Sequence, residues 1–311
     1  MVALGLQGKV LFSREIGFAD FEAKKAMLPD TAFGIASISK MLTVVTVLKL
    51  VEKNLLSLDE PILTYLPEYR KDLGSKLTLR RLLANNSGVP NQFSAALKAD
   101  PTVMEVHLTT MQAVHRFCEA DLIFAPGERF DYSLSNWIIV LAIIEAVTKT
   151  DFAAAMRRIT LDPLGLKDTS TDSDSKTATS YTNTTPPVKR PAPRLAFTAA
   201  AGGYYSNAHD LMLAGHRVFS TDFLSASSLR SLTTIEVPSD QYALGGRLRQ
   251  VPIGTGTVTA AWDTGNSSGY RSVLGHRLDG LGTVVVLNNT SMSQKTLDEF
   301  SDALLASFHA S

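Results

Sequence analysis

The sequence is short of most features that would place it in a specialised class. It contains a single cysteine, Cys118, so no internal disulfide can form and no cysteine-based zinc set can be completed. Cys118 sits in a stretch with helical spacing, where burial as a small hydrophobe is expected. Neither charge sign prevails, since Lys plus Arg and Asp plus Glu each number 30. Without a basic field to hold a polyanion, nucleic acid is not an expected partner. Long apolar runs are absent too. The longest, Trp137 to Ile144, falls far short of the roughly 20 residues that span a bilayer, so no membrane span is expected. The histidines are scattered, with no H-E-x-x-H, and Gly254-Thr255-Gly256 lacks the spacing and the helix of a dinucleotide loop. No metal and no cofactor are expected. The N-terminal MVALGLQGKV has no basic leader, and Gln7 ends its apolar stretch. If the protein is exported, its signal lies outside this chain.

What is present is a core-forming chain of 311 residues, 45% apolar and 19% charged, long enough for one large domain or two interleaved ones. Residues 8–20 mix β-branched and aromatic residues with turn formers and predict a two-stranded hairpin. From Ser37 to Asn54, apolar Met41, Val44, Val45, Leu48 and Val51 recur at the helical period with almost no polar face between them, which predicts a buried helix. Further helices are expected near 78–85, 108–118, 135–149 and 151–161. A Ser, Thr, Asp and Pro-rich stretch at 168–196 reads as a long polar loop crossing the surface. Two short helices follow Gly203, then alternating runs near 240–252, 256–262, 269–277 and 281–289 predict antiparallel strands, and a last helix covers 293–309. The fold class expected is α/β (α+β), an antiparallel sheet built from both chain ends and flanked by helices, with an inserted helical lobe. The sheet lobe takes 1–54 and 197–311, and the helical lobe takes 55–196 with its polar loop.

The most informative local pattern is Ser37-Ile38-Ser39-Lys40, where loop becomes buried helix. A serine three residues before a lysine on a helix places both side chains on one face, within reach of each other. Serine is a weak nucleophile at its own pKa, and a desolvated lysine can take its proton. The helix N-terminus adds backbone N–H groups where an oxyanion would form. Ser173-Asp174-Ser175-Lys176, with Tyr181-Thr182-Asn183 after it, matches the same pattern. It lies in the polar loop, where nothing would fix its geometry.

Beyond this pair, FGIASISK, LTLRRLLANNSGVP, FAPGERFDYS, PLGLKDTS, AAGGYYSNAHDL and GYRS occur in an order that resembles the class C β-lactamase, D,D-peptidase and family VIII esterase superfamily. These penicillin-recognising serine hydrolases share S-x-x-K, then Y-x-N, then K-T-G or H-x-G. The likeness runs from about residue 8 to 290. It implies a β-lactamase/transpeptidase-like fold, Ser37 as the acylated nucleophile, Lys40 as its base and Tyr132 as the relay to the leaving group. The oxyanion hole it implies is made by the backbone N–H groups of Ser37 and Asn266, with Leu134, Asp263, Thr264 and Gly265 facing substrate. It suggests a periplasmic or secreted protein and says nothing of oligomeric state.

Two positions depart from the pattern. Leu134 stands where Y-x-N has asparagine, with Asn136 two residues on, at the start of the following helix. Asp263 of Asp263-Thr264-Gly265 stands where the third motif has a cation. Unit charges about 4 Å apart at an effective dielectric of about 20 interact by roughly 4 kcal/mol, so Asp263 is expected to repel a substrate carboxylate and to favour protonated Lys40 unless burial offsets the attraction. The function expected is therefore an acyl-serine hydrolase of esters or amides, as an esterase or D-peptidase rather than an efficient β-lactamase, acting on a small-molecule ester, amide or peptide. The alternative is a catalytically impaired homologue that binds a ligand or partner. A rival enzyme reading, Gly265-Asn266-Ser267-Ser268-Gly269 as a nucleophile elbow with Asp279 and His309, requires a helix after the serine, whereas Tyr270 to Leu274 reads as a strand.

Overall fold

A computed structural model describes residues 1–191 and 194–307. Six strands form one antiparallel sheet: β1 (Val2–Leu6), β2 (Lys9–Arg14), β3 (Arg247–Ile253), β4 (Gly256–Ser267), β5 (Tyr270–Arg277) and β6 (Thr283–Asn288), in the order β2-β1-β6-β5-β4-β3. β1 runs antiparallel to β6, with Val2 opposite Val286 and Gly5 opposite Thr283, so the two ends of the chain meet inside the sheet. The α/β (α+β) class with a sheet assembled from both ends is thus the observed fold.

Four longer helices organise the rest: α1 (Ser39–Glu52), α2 (Leu134–Thr148), α3 (Ala208–Ser220) and α4 (Gln294–Ala306). α3 packs against β1, β5 and β6 while α4 packs against β3, β5 and β6. Ala3, Leu274 and Val285 belong to the main core, and Val273, Val284 and Val286 pack with Leu297 and Leu305 of α4. Alternate residues of the central strands thus face two apolar layers. That explains why β5 and β6 carry near-continuous apolar runs instead of alternating ones. α1 is buried on all sides from Ser39 to Leu48. Its two mid-helix threonines lose no hydrogen bond there, because Thr43 Oγ1 donates to the Ser39 carbonyl at 3.0 Å and Thr46 Oγ1 to that of Leu42 at 3.2 Å.

Three local expectations change. The N-terminal hairpin is β1–β2, not residues 8–20, and it turns at Gln7-Gly8, both with positive φ (52° and 74°), as a tight two-residue hairpin turn requires. Residues Phe18–Asp20 pair instead with Lys25–Ala26. The helix expected over 151–161 is α-helical only at Phe152–Met156 and continues as a π-helical turn through Arg157–Leu161. The polar stretch after residue 168 does more than cross the surface. Ala178, Ser180 and Tyr181 are buried, with Ala178 N–H bonded to Ala32 O and Tyr181 N–H to Asn289 O. A segment too polar to fold alone is held by backbone bonds to the chain on either side of it.

Candidate active site

The site starts from a tight turn between a short strand and α1. Phe33–Gly34 pairs with Tyr205–Ser206, then a 3-10 turn, Ala36–Ile38, leads straight into α1. Ala36 holds a left-handed φ of 46°, an uncommon conformation for a residue with a side chain. From Thr31 to Leu48 every residue is buried except Ser37, so the turn presents one hydroxyl at the surface of an otherwise closed core.

β4 runs directly beside this turn. Ser272 Oγ on β5 donates to the Ile35 carbonyl at 3.2 Å, and a Cβ at Gly265 would stand 2.2 Å from both Ile35 O and Ser272 Oγ. Only glycine lets β4 approach so closely. That approach brings Asn266 and Ser37 to the wall of one cleft.

Lys40 Nζ donates to Ser37 Oγ at 3.0 Å, and Ser37 Oγ lies 2.8 Å from the Tyr132 hydroxyl. Lys40 is fully buried, donates also to the Ala201 carbonyl, and sits 5.0 Å from the centre of the Tyr132 ring and 5.3 Å from that of Trp137. Burial lowers the pKa of Lys40 below the ordinary lysine value, against the opposing pull of Tyr132. Burial of Lys40 thus offsets the attraction expected from Asp263, with desolvation the governing effect. An amine that loses its proton readily, one hydrogen bond from a serine hydroxyl, can act as a base toward it.

Tyr132 is positioned by residues to which the sequence reading gave no role. Asn85, fully buried with φ of 52°, accepts from Ser133 N–H at 3.3 Å and Asn136 Nδ2 at 3.2 Å through its side-chain oxygen. Its Nδ2 donates to the Tyr242 hydroxyl at 3.0 Å, and its carbonyl accepts from Asp131 N–H at 2.7 Å. Asn91 Nδ2 donates to the Tyr132 carbonyl at 3.2 Å. Asn136 Oδ1 accepts from Ser87 Oγ at 2.6 Å, so Asn136 supports the loop from inside α2 and does not replace the missing asparagine at Leu134.

The cleft has two arms that meet at Ser37 and Asn266. One, of about 440 Å³, is polar and is lined by Lys40, Tyr132, Tyr242, Arg247, Asp263 and Thr264 together with the Gly245-Gly246 backbone. The other, of about 520 Å³, is mainly apolar and is lined by Phe93, Leu97, Pro101, Met104 and Leu134, with Arg194 on its rim. Leu134 thus belongs to the apolar arm and Asp263 to the polar one. The Asp263 carboxyl lies against Gly246, where a Cβ would come within 2.3 Å of Oδ1. Burial pushes its pKa up to about 7, against the pull of Arg247. Arg247, which starts β3 opposite Trp262, is the cation the sequence reading missed. It brings positive charge to the arm from a neighbouring strand, so Asp263 alone does not set the sign of the arm.

The two competing patterns are not assembled. Ser173 and Lys176 are exposed, and Lys176 pairs with Asp30 at 3.1 Å. Tyr181 donates to Asp20 Oδ1 at 3.2 Å and supports the fold. Gly265 to Gly269 closes the β4–β5 hairpin, with β5 and not a helix following. Asp279 binds Arg277 at 2.6 Å, and His309 lies outside the described residues. Cys118 is buried, with Sγ 3.4 Å from the Ser135 carbonyl. Among the described residues no His, Cys, Asp and Glu group could hold a metal ion, and no helix is long and apolar enough to cross a membrane.

The sequence profile named Beta-lactamase matches residues 1–306. Esterase EstB of Burkholderia gladioli is 33% identical over 172 residues, which cover 52% of this chain and 44% of EstB. The chain spans less than half the length of the curated relatives it matches. The octameric penicillin-binding protein homologue from Pyrococcus abyssi superposes with a TM-score of 0.83 at 25% identity, over 98% of this chain and 72% of the other. The D-amino acid amidase from Ochrobactrum anthropi SV3 superposes with a TM-score of 0.80 at 21% identity, over 98% and 92% of the two chains, and shares the fold.

Proposed function

The chain belongs to the Beta-lactamase family, and on that premise we propose that it is a serine hydrolase that cleaves small esters or amides through an acyl-Ser37 intermediate. The observation that carries this reading is Ser37 Oγ held between the buried Lys40 amine at 3.0 Å and the Tyr132 hydroxyl at 2.8 Å, where the two arms meet.

In the proposed cycle, Ser37 Oγ bonds to the substrate carbonyl carbon while its proton passes to the Lys40–Tyr132 pair. The carbonyl π pair moves onto oxygen, where the backbone N–H groups of Ser37 and Asn266 stabilise it. Collapse breaks the bond to the leaving group, which takes a proton from Tyr132. Water then attacks the acyl-serine, giving up its proton to the same pair, and Ser37 recovers its own on departure of the acid.

The arms divide the substrate. The apolar arm suits the acyl group, because burying each methylene there is worth about 0.8 kcal/mol, and Tyr132 and Thr264 place the leaving group in the polar arm. Leu134 offers no hydrogen bond to an acyl-side amide, which disfavours penicillin- and cephalosporin-like acyl groups. Both the esterase relative and the amidase with the same fold support ester or amide chemistry. A panel of p-nitrophenyl butyrate, a D-alanyl peptide and nitrocefin tests the reading. The p-nitrophenyl ester is expected to give a higher kcat/KM than nitrocefin, and the opposite order would overturn the preference assigned to Leu134.

A further inference from the structure

Among the described residues that line the apolar arm, Arg194 is the only charged one. Its side chain is held in place. The guanidinium carbon lies 3.7 Å from the centre of the Tyr205 ring, and Nη1 donates to the Gly202 carbonyl at 3.2 Å. Nη2 sits over Gly34, where a Cβ would stand 2.5 Å from it, and Gly34 ends the short strand that leads into the nucleophile turn. Among the described residues, no carboxylate pairs with Arg194, and neither Nη2 nor the buried Nε has an acceptor. Acids are nevertheless close by. Arg194 also lines a second cavity of about 280 Å³ together with Glu145, Asp151 and Asp172. Two of these are engaged with backbone, since Glu145 Oε1 accepts from Phe152 N–H at 3.0 Å and Asp151 Oδ1 from Ala154 N–H at 2.9 Å.

We propose that Arg194 is a specificity-determining residue on the acyl side of the cleft, and that the acyl groups taken there are aliphatic chains ending in a carboxylate. The proposal deepens the hydrolase reading and rests on it for the placing of the acyl group in this arm. Phe93, Leu97, Pro101, Met104 and Leu134 bury the methylenes of such a chain, and the guanidinium meets its far end.

The donors of Arg194 fit that role. Nη1 carries two N–H groups and gives one to Gly202, which leaves its second N–H and those of Nη2 as a planar fork. A carboxylate can accept from such a fork through two parallel hydrogen bonds. Stacking on Tyr205 and the bond to Gly202 fix the plane of the guanidinium before a ligand arrives, so less side-chain entropy is lost on binding. A chain that fills the arm also displaces water from the pair, which strengthens the attraction between the two charges.

The test keeps the leaving group constant and varies the end of the acyl chain. Mono-4-nitrophenyl adipate, 4-nitrophenyl adipamate and 4-nitrophenyl 6-aminohexanoate are compared by kcat/KM near neutral pH. The wild type is expected to prefer the adipate over the adipamate roughly tenfold, with the preference shrinking as salt is raised. Arg194→Gln should erase it. Arg194→Glu should invert it in favour of the 6-aminohexanoate, an inversion that a merely disordered arm cannot produce. Separately, Ser37→Ala is titrated calorimetrically with adipic acid monoanilide and with neutral N-phenyladipamide. It should bind the anion more tightly, and Ser37→Ala with Arg194→Gln should bind both alike. Equal kcat/KM for adipate and adipamate in the wild type, or a preference surviving in Arg194→Gln, would overturn the proposal and leave the hydrolase reading standing. Selective binding of the anion through Arg194, with no ester turned over by the wild type, would uphold the subsite and refute the hydrolase reading instead.

Discussion

The hydroxyl of Tyr132 lies 2.8 Å from Ser37 Oγ across 95 residues of sequence. A phenol at that distance can pass a proton between nucleophile and leaving group, and a phenyl ring cannot. Tyr132→Phe keeps the ring beside Lys40 and removes only the relay. It should lower kcat for p-nitrophenyl butyrate by about 10²- to 10⁴-fold with KM nearly unchanged, measured by steady-state kinetics. A loss confined to KM would mean that Tyr132 binds substrate without moving protons.

Lys40 acts as a base only when neutral. Because burial lowers its pKa, the acid limb of the kcat/KM profile should fall below the range of an ordinary lysine, near 10.4. Activity is therefore expected to rise with pH toward a plateau reached below that range, and to be abolished in Lys40→Arg, whose side chain stays charged. A limb at the ordinary lysine position would show that desolvation does not govern this residue.

Asp263 couples stability to pH. Its folded-state pKa of about 7 exceeds the ordinary 3.8, so between these values the folded chain binds more protons than the unfolded one. Its contribution is fully present below about pH 4 and is lost as pH rises through 7. Asp263→Asn removes the cost of a buried charge, on the order of a few kcal/mol at alkaline pH. Thermal unfolding should show a larger gain in Tm at pH 8 than at pH 5, and equal gains would place the carboxyl in solvent.

Gly265 is fixed by the approach of β4 to the nucleophile turn. Its Cβ would stand 2.2 Å from Ile35 O and Ser272 Oγ, backbone and side chain that cannot both yield. Gly265→Ala should destabilise the protein by roughly 1–3 kcal/mol and displace Asn266 from Ser37, so that both denaturant midpoint and kcat fall. An unchanged midpoint would mean that the turn relaxes freely.

Residues whose chemistry depends on local spacing were legible in the sequence. Ser37 and Lys40 sit three apart at a loop-to-helix boundary, a geometry the helix itself enforces, whereas β4 was expected only over 256–262 and reaches Asp263 and Asn266 through its pairing with β5. Arg247 was not legible. Its role comes from antiparallel pairing opposite Trp262, a register that no short-range pattern records. Asn85 lies within LTLRRLLANNSGVP, yet its function as the hub for Tyr132 and Tyr242 arises from contacts 48 and 157 residues away. The hairpin was misplaced for a nearer reason. The turn is Gln7-Gly8, so a hairpin over residues 8–20 begins inside the turn and omits β1 before it.

The central claim, that Ser37 is acylated, is tested most directly by intact-mass measurement after incubation with a fluorophosphonate. The account predicts one covalent adduct on the wild type and none on Ser37→Ala, with both proteins folded. An unlabelled, folded wild type, or an adduct that persists in Ser37→Ala, would contradict it.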